Sequence, residues 1–266
     1  MLVPPEWPAP LHPPVLHPGE VHLWRADLDG WRARADELRP ALAEEERLRA
    51  ARFLVAEHEQ RWVAGRAVLR ALLGEHLGVR PEHVRLVYGT QGKPELAPEH
   101  GAADLRFNLS HSGAVGLYAL ARGRQVGVDV ELRRTGIDLE RIARRFFSVL
   151  EVEQLLALGP EAREQAFYRC WTCKEAYLKA SGRGITTGLD RFAVSLAAGE
   201  PARLLTCEGG PSELRRWRLE ALVPRAGYVG AVCAEGVWKL RCWDWPDARS
   251  DPPPPGAPCV GPGLGH

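Results

Sequence analysis

The sequence predicts an α+β fold. Helix-like and strand-like segments occur twice in a similar order along the 266 residues, without the regular βαβ alternation that a parallel sheet requires. No sequence repeat accompanies this order. The length is sufficient for one large domain or two small ones, each with a buried core.

The first half of the chain begins with a short strand at residues 21–24 and continues with a helical region at 41–77. Within that region, Gly65 and Gly74 are expected to mark a close approach and an interruption or end. A strand at 84–88 follows. The positions of the helical region that we expect to be buried are Leu48, Phe53, Val55, Trp62, Leu69, Leu72 and Leu73.

The second half contains the remaining strands. They are expected at residues 114–121, 125–131, 192–196, 217–223, 228–233 and 237–242. The residues between the first two, 122–124, predict a hairpin turn. The last four strands are expected to close a second module.

Three helices are expected among these strands. Residues 137–147 are amphipathic, and Ser148 with Glu151 predicts a capping box for the short helix that follows. The longest of the three is expected from 161 to 180 and ends at Gly182.

The two ends of the chain are rich in proline. Residues 1–20 form an N-terminal extension, and residues 246–266 form a Pro/Gly-rich tail. We expect both to be extended or disordered, because they offer too little apolar surface to offset their ordering entropy. The domains predicted between them are an N-terminal α+β module at 21–121 and a C-terminal α+β module at 122–245.

Charge and composition argue against several classes of protein. The formal net charge of +1 gives no basic field for nucleic acid or an anionic membrane. No apolar stretch is long enough to span a bilayer, and the first residues lack the features of a secretory signal, so a cytoplasmic protein is expected. The six cysteines do not make a disulfide framework. We expect Cys170 and Cys173 to be buried helix residues rather than a metal or redox pair.

Acidic residues on one strand and one helix indicate the chemistry. Side chains alternate between the faces of a strand, so Asp129 and Glu131 share a face. Glu175 and Lys179 are one helical turn apart and also share a face. Three carboxylates beside an ammonium can hold a hard cation and a phosphorylated substrate. A solvated strand face and an exposed Glu–Lys pair are the alternatives.

Further polar segments accompany these acids. Phe107-Asn108-Leu109-Ser110-His111-Ser112-Gly113 ends in groups that can hydrogen-bond phosphate oxygens, and it lacks the G-x-S-x-G of a nucleophile elbow. A polar strand end is the alternative for it. Ala51-Arg52-Phe53 is followed by Arg61 and Gly65, and Gly92-Lys93-Pro94 forms a turn.

Together, in this order over residues 45–195, these segments resemble the surfactin-synthetase-activating (Sfp) type of 4'-phosphopantetheinyl transferase. The resemblance implies a pseudo-dimer of two similar modules. Each would be a small, mainly antiparallel sheet packed against helices, with the active site in the cleft between the modules. The implied reaction moves 4'-phosphopantetheine from coenzyme A to a serine of an apo acyl or peptidyl carrier protein and releases adenosine 3',5'-bisphosphate.

The resemblance also assigns roles to residues. Asp129, Glu131 and Glu175 are expected to bind Mg²⁺, and Glu175, Lys179 and His111 are expected to be catalytic. The general base stays open between Glu175, a water on the metal and another carboxylate. Lys174 is expected to contact phosphate or to pack the helix. The residues expected to bind coenzyme A are Arg49, Arg61, Lys93, Ser110, His111 and Lys179.

Partners and rival functions follow from the same residues. Acidic carrier proteins suit a docking surface made of Arg133, Arg134, Arg141, Arg144 and Arg145, for which a solvated helix face is the alternative. A Mg²⁺-dependent nuclease would use similar acids, but the net charge disfavours long polyanions. An inactive binding protein would have lost one of the three acids. The two-module architecture predicts a monomer, without nucleic-acid or membrane partners.

Overall fold

The computed structural model describes residues 5–89, 91–183, 188–197 and 199–246. The described helices are α1 (Leu28–Arg32), α2 (Ala35–Leu38), α3 (Glu44–Ala50), α4 (Ala56–Leu77), α5 (Leu139–Phe146), α6 (Val149–Leu156), α7 (Pro160–Ser181) and α8 (Gly210–Arg216). The described strands are β1 (Glu20–Asp27), β2 (Leu86–Tyr88), β3 (Pro94–Leu96), β4 (Leu105–Ser112), β5 (Val115–Arg122), β6 (Val126–Leu132), β7 (Ala193–Val194), β8 (Leu204–Thr206), β9 (Trp217–Leu222), β10 (Tyr228–Glu235) and β11 (Lys239–Asp244). The predicted α+β class is confirmed.

Two sheets form the framework of the fold. One has the strand order β11-β1-β5-β4 and the other the order β6-β10-β9. Strand β11 runs parallel to β1, whereas the other neighbours in these sheets are antiparallel. The strand predicted at 237–242 therefore joins the first sheet instead of closing a second module. Residues 122–124 do not close a hairpin, because β5 and β6 belong to different sheets. The domain boundaries and the pseudo-dimer stay predictions.

The helical region predicted at 41–77 consists of two helices, α3 and α4. Leu48, Phe53 and Val55, which we expected to be buried, are 59%, 37% and 49% exposed. That expectation was wrong because α3 and the connection to α4 lie at the surface. Gly74 lies inside α4 and does not end it. A Cβ there would lie 2.7 Å from the Val79 carbonyl oxygen, so the glycine allows the following chain to pack back onto the helix.

The described part of the N-terminal extension packs against the first sheet. The Pro8 carbonyl accepts a hydrogen bond of 2.8 Å from the Asp244 amide. Leu16 is 3% exposed, and Trp7 packs against the core between the two sheets. The extension therefore buries more apolar surface than its composition predicted. Apart from Pro246, the predicted tail at 246–266 lies outside the described residues.

The two sheets and helix α7 enclose the core that positions the site. Side chains from β1, β5, β6 and β10 meet between the sheets, and α7 packs on β6 and β10. Cys170 and Cys173 are fully buried in α7, as predicted. Burial raises the pKa of Cys173 to about 12. No helix in the described part of the chain is long and apolar enough to cross a membrane.

Candidate active site

The site lies where the edge strands of the two sheets, β4 and β6, run side by side. Three polar side chains at alternate positions of β4 face β6. The Asn108 amide oxygen accepts from the Val128 amide at 2.9 Å, and the Ser112 hydroxyl accepts from the Leu132 amide at 3.1 Å. These side-chain contacts take the place of backbone pairing and satisfy amides of a sheet edge. The polar side chains at alternate positions of β4 therefore hold the two sheets together at the site.

The strand β6 contributes the first two carboxylates. The Ser110 hydroxyl donates to Asp129 Oδ1 at 2.9 Å, and the Ser112 hydroxyl donates to Glu131 Oε2 at 2.9 Å. Asp129 and Glu131 therefore share a face, as the two-residue period predicts. Each carboxylate is oriented by one serine of β4. Sequence reasoning found Ser110 but gave Ser112 no role, although the N-x-S-x-S alternation identifies it.

Helix α7 supplies the third carboxylate and the ammonium. Lys179 Nζ lies 2.7 Å from Asp129 Oδ1 and 3.1 Å from the Ser110 hydroxyl oxygen. Glu175 is 7% exposed one turn earlier. The helix reaches this position because Gly127 has no side chain. A Cβ at Gly127 would lie 2.2 Å from the carbonyl oxygen of Ala176 in α7.

The three carboxylates act on one another electrostatically. Burial and the charge of Asp129 raise the pKa of Glu131. Burial together with the charges of Asp129 and Glu131 raises the pKa of Glu175. Like charges close together in a partly buried site are repulsive, so a cation that neutralises them is stabilising. The arrangement favours a bound cation beyond the single ammonium of Lys179.

The oxygen atoms of Asp129 show which part of the site is still available. Lys179 and Ser110 both contact Oδ1, whereas Oδ2 is buried and has no hydrogen-bond partner among the described residues. Within the described ranges, no group of three acidic, histidine or cysteine side chains has the spacing of a formed metal site. The donor set of carboxylate oxygens nevertheless suits Mg²⁺, and the unpartnered Asp129 oxygen suits a ligand of that kind.

His111 lies at the exposed end of β4, one residue beyond Ser110. Partial desolvation lowers its pKa, and the positive charges of Lys179 and Arg66 lower it further. The imidazole is therefore neutral at pH 7 and presents one N–H donor. The structure brings His111, Ser110 and Lys179 to one place, and their predicted contacts with coenzyme A stay predictions.

A pocket of about 730 Å³ lies beside helix α3 and strand β2. The guanidinium groups of Arg49 and of Arg66 each lie within 5.6 Å of the centre of the Trp62 ring. Aromatic rings and arginines together suit a nucleotide, through stacking and phosphate contacts. The pocket is lined by Glu45, Glu46, Leu48, Arg49, Arg52, Phe53 and Tyr88.

Two residues predicted to bind coenzyme A have other partners in the structure. Arg61 Nε lies 2.6 Å from Asp29, Arg61 Nη2 lies 2.8 Å from Glu57, and Arg61 is not among the residues that line the pocket. Lys93 Nζ donates to the carbonyls of Val126 and Lys179, and burial lowers the pKa of Lys93 to about 8. The cofactor contacts of Arg61 and Lys93 stay predictions.

The structure decides between the two expectations for Lys174. Lys174 Nζ lies 2.7 Å from Glu151 Oε2, and both side chains are 0% exposed. The ammonium also donates to the carbonyl of Leu189. Lys174 therefore packs and holds the helix, and the alternative of a phosphate contact was wrong because the group has no access to solvent.

Comparison with known proteins assigns the family. A model described as the 4'-phosphopantetheinyl transferase superfamily matches residues 125–233, and one described as 4'-phosphopantetheinyl transferase, N-terminal, matches residues 23–122. The chain is 42% identical over 227 residues to 4'-phosphopantetheinyl transferase HetI of Nostoc sp., which covers 85% of this chain and 92% of the relative. The chain belongs to the 4'-phosphopantetheinyl transferase superfamily.

A second relative agrees with this assignment. The transferase is 30% identical to 4'-phosphopantetheinyl transferase Sfp of Bacillus subtilis over 194 residues, which cover 73% of this chain and 82% of that one. This confirms the predicted Sfp type, and an enzyme of this family is not a nuclease. A solved ACPS–CoA complex of Chronobacterium ammoniagenes matches with a TM-score of 0.31 and 19% identity, covering 44% of this chain and 98% of the other.

Proposed function

We propose that this transferase moves 4'-phosphopantetheine from coenzyme A to a serine of an apo carrier protein in a Mg²⁺-dependent reaction that releases adenosine 3',5'-bisphosphate. The observation that supports it is the group of Asp129, Glu131, Glu175 and Lys179 at the junction of β4, β6 and α7. Carboxylates for a cation and an ammonium for phosphate oxygens are the groups that phosphoryl transfer needs.

Asp129, Glu131 and Glu175 are the residues that would hold Mg²⁺. The buried Asp129 Oδ2 without a partner among the described residues supports this assignment. The pKa values of Glu131 and Glu175 are raised first by burial and then by the neighbouring carboxylate charges, which a cation would offset, and this also supports the assignment. When bound, Mg²⁺ would neutralise negative charge on the pyrophosphate of coenzyme A.

The remaining groups bind and orient the reactants. Lys179 supplies a positive charge for phosphate oxygens, and its ammonium is held in place by Asp129, Ser110 and the Val128 carbonyl. Neutral His111 supplies one N–H donor. The carrier serine oxygen attacks the phosphorus that bears pantetheine, and the bond from this phosphorus to the bridging oxygen of the nucleotide breaks. The serine proton passes to a general base, which is Glu175 or another carboxylate of the site.

The test is to incubate the transferase with coenzyme A, a Mg²⁺ salt and a panel of apo carrier proteins, and to weigh each carrier by intact mass spectrometry. We expect a gain of one phosphopantetheine that is abolished by EDTA and by Asp129→Ala. Asp36→Asn is the matched control, because its carboxylate is 94% exposed and far from the site in sequence. Absence of any mass gain across the panel, with the wild-type fold intact, would contradict the proposal.

The carrier protein would dock on the arginines that follow β6. Arg133, Arg134, Arg141 and Arg145 are exposed, as are the neighbouring Val149 and Leu150 on α6, whereas Arg144 is engaged by Glu140 at 2.7 Å. A positive surface with an apolar component suits an acidic helical partner. Charge reversal at Arg133, Arg134, Arg141 and Arg145 together should raise KM for the carrier and leave KM for coenzyme A unchanged. An equal rise in both would argue against a docking role.

A further inference from the structure

The tip of the hairpin between β4 and β5 is held from two sides. The chain turns there through Gly113 and Ala114, directly after Ser112. The Ala114 carbonyl accepts a hydrogen bond of 2.7 Å from the Leu28 amide at the start of α1. The Ala114 amide donates to the Tyr228 hydroxyl at 3.1 Å. One residue of the tip is therefore fixed both from α1 and from β10.

Tyr228 reaches the tip from the second sheet. It begins β10, where it pairs with Leu132 of β6, and it is 7% exposed. Its side chain lies in the core between the two sheets, and its amide donates to the Arg225 carbonyl at 3.0 Å. The hydroxyl is therefore presented by a packed ring on a regular strand, which leaves it little freedom to move.

Gly113 allows the tip to lie directly against this hydroxyl. Its φ of +52° is in the left-handed region that glycine adopts readily. A Cβ at Gly113 would lie 2.9 Å from the Tyr228 hydroxyl oxygen and 3.2 Å from Cδ2 of Leu132. A side chain at this position would therefore push the tip away from Tyr228.

The tip is continuous with the residue that orients Glu131. Ser112 directly precedes Gly113, and its hydroxyl donates to Glu131 Oε2 at 2.9 Å and accepts from the Leu132 amide at 3.1 Å. A short side chain can make both contacts only if its backbone stays in place, because hydrogen bonds weaken beyond about 3.2 Å. The Tyr228 hydroxyl fixes that backbone two residues further along the chain.

We propose that Tyr228 is a positioning residue of the transfer site, whose hydroxyl fixes the hairpin tip so that Ser112 orients the Glu131 carboxylate for the cation. The proposal rests on the proposed function, in which Glu131 is one of the three residues that would hold Mg²⁺. Tyr228 acts through Ser112 and is not itself a metal ligand. Sequence reasoning gave Tyr228 no role, because its contact with Ala114 joins residues 114 positions apart.

The test compares Mn²⁺ binding by the wild type, Tyr228→Phe, Ser112→Ala and the double variant, with electron paramagnetic resonance of free Mn²⁺ as the readout. Tyr228→Phe should weaken Mn²⁺ binding by about 3- to 10-fold. Groups that orient a metal ligand directly contribute about 10- to 100-fold, and Tyr228 acts through a second residue. In the Ser112→Ala background the same substitution should have no further effect, since no hydroxyl is left to position.

Two further measurements report on the mechanism of the effect. Hydrogen exchange of the Ala114 amide should be faster in Tyr228→Phe, because the amide loses its acceptor. In the mass-based transfer assay, a high Mg²⁺ concentration should restore the kcat of Tyr228→Phe to that of the wild type. A defect of the fold alone would not be restored by added metal.

Tyr118→Phe is the matched control. Tyr118 is 1% exposed and its hydroxyl donates to the Gly65 carbonyl at 3.0 Å, so this variant also loses one buried hydrogen bond of a tyrosine hydroxyl, but none at the tip. Tyr118→Phe should retain the Mn²⁺ affinity of the wild type. An equal loss of Mn²⁺ affinity in both Tyr→Phe variants, or an undiminished effect of Tyr228→Phe in the Ser112→Ala background, would overturn the role of Tyr228.

The variants separate the role of Tyr228 from the presence of the metal. Wild-type Mn²⁺ affinity in Tyr228→Phe, with Mn²⁺ binding and transfer both lost in Asp129→Ala, would overturn the positioning role and leave the proposed function intact. A wild type that bound no Mn²⁺ and transferred phosphopantetheine in the presence of EDTA would overturn the metal dependence and this inference together.

Discussion

Gly127 determines how closely helix α7 approaches strand β6, and Gly127→Ala tests whether the site depends on that approach. The added Cβ would lie 2.2 Å from the Ala176 carbonyl oxygen and 2.3 Å from the Ala180 amide nitrogen. Both are backbone atoms of α7, so no side chain can rotate away. To restore ordinary contact, which begins at 3.4 Å, the helix must move by about 1 Å.

This displacement has two measurable consequences. Overpacking of this kind costs about 1–3 kcal/mol of unfolding free energy. The same movement carries Glu175 and Lys179 away from Asp129, and a misplacement of about 1 Å lowers catalytic rates by about 100-fold. We therefore expect kcat/KM for carrier modification to fall far more than the lost stability explains, at a temperature where the variant is fully folded.

The assays are urea unfolding for stability and the mass-based transfer assay for kcat/KM. Gly159→Ala is the matched control, because Gly159 precedes α7 with a φ of −64° and a Cβ there would meet nothing within 4 Å. That variant should resemble the wild type in both assays. A Gly127→Ala enzyme with wild-type stability and activity would show that α7 is not held by this contact.

Three further predictions concern single groups around the site. Ser112→Ala should weaken binding of Mn²⁺, used as a probe for the metal, by about tenfold, because Glu131 loses the hydrogen bond that orients it. Ser112→Thr keeps the hydroxyl and should retain the Mn²⁺ affinity. An equal loss of Mn²⁺ affinity in both variants would contradict this reasoning. Lys174→Met should lower the free energy of unfolding, measured in urea, by about 3–5 kcal/mol, because it leaves the Glu151 carboxylate buried without its partner. Adding Glu151→Leu to Lys174→Met should restore part of the lost stability. If the double variant recovered no stability, the ion-pair explanation would be refuted. Binding of coenzyme A should raise the pKa of His111, because phosphate oxyanions offset the positive charges that lower it. The affinity for coenzyme A should therefore increase as the pH falls and His111 becomes protonated. An NMR titration of the imidazole with and without coenzyme A measures the pKa change, and a pKa that falls on binding would contradict this reasoning.

Local sequence patterns predicted most of the elements. The Ser148 capping box is formed as expected, with the Glu151 carboxylate accepting from the Ser148 amide at 2.9 Å. The long helix predicted at 161–180 corresponds to α7, and the face shared by Asp129 and Glu131 follows from strand periodicity. These features depend on residues within a few positions of each other, so the sequence contains the information needed to predict them.

Burial was predicted less well where it depended on distant segments. Leu48, Phe53 and Val55 have helical apolar spacing, yet they are exposed, because Leu48 lies on the outer side of α3, whose Glu46 and Ala50 are buried, and Phe53 and Val55 lie on its connection to α4. Leu16 lies in a proline-rich extension and is buried, because the first sheet offers it a surface. Apolar character alone does not determine burial, which requires a partner from elsewhere in the chain.

The sequence by itself determined the family, the identities of the acids and the lysine, and their order along the chain. Only the tertiary structure decided that β11 pairs with β1, that Lys174 is buried against Glu151, and that Arg61 pairs with Asp29 and Glu57. The physical reason is that periodicity and motifs report which face a side chain occupies, whereas its partner is set by how segments far apart in sequence pack together.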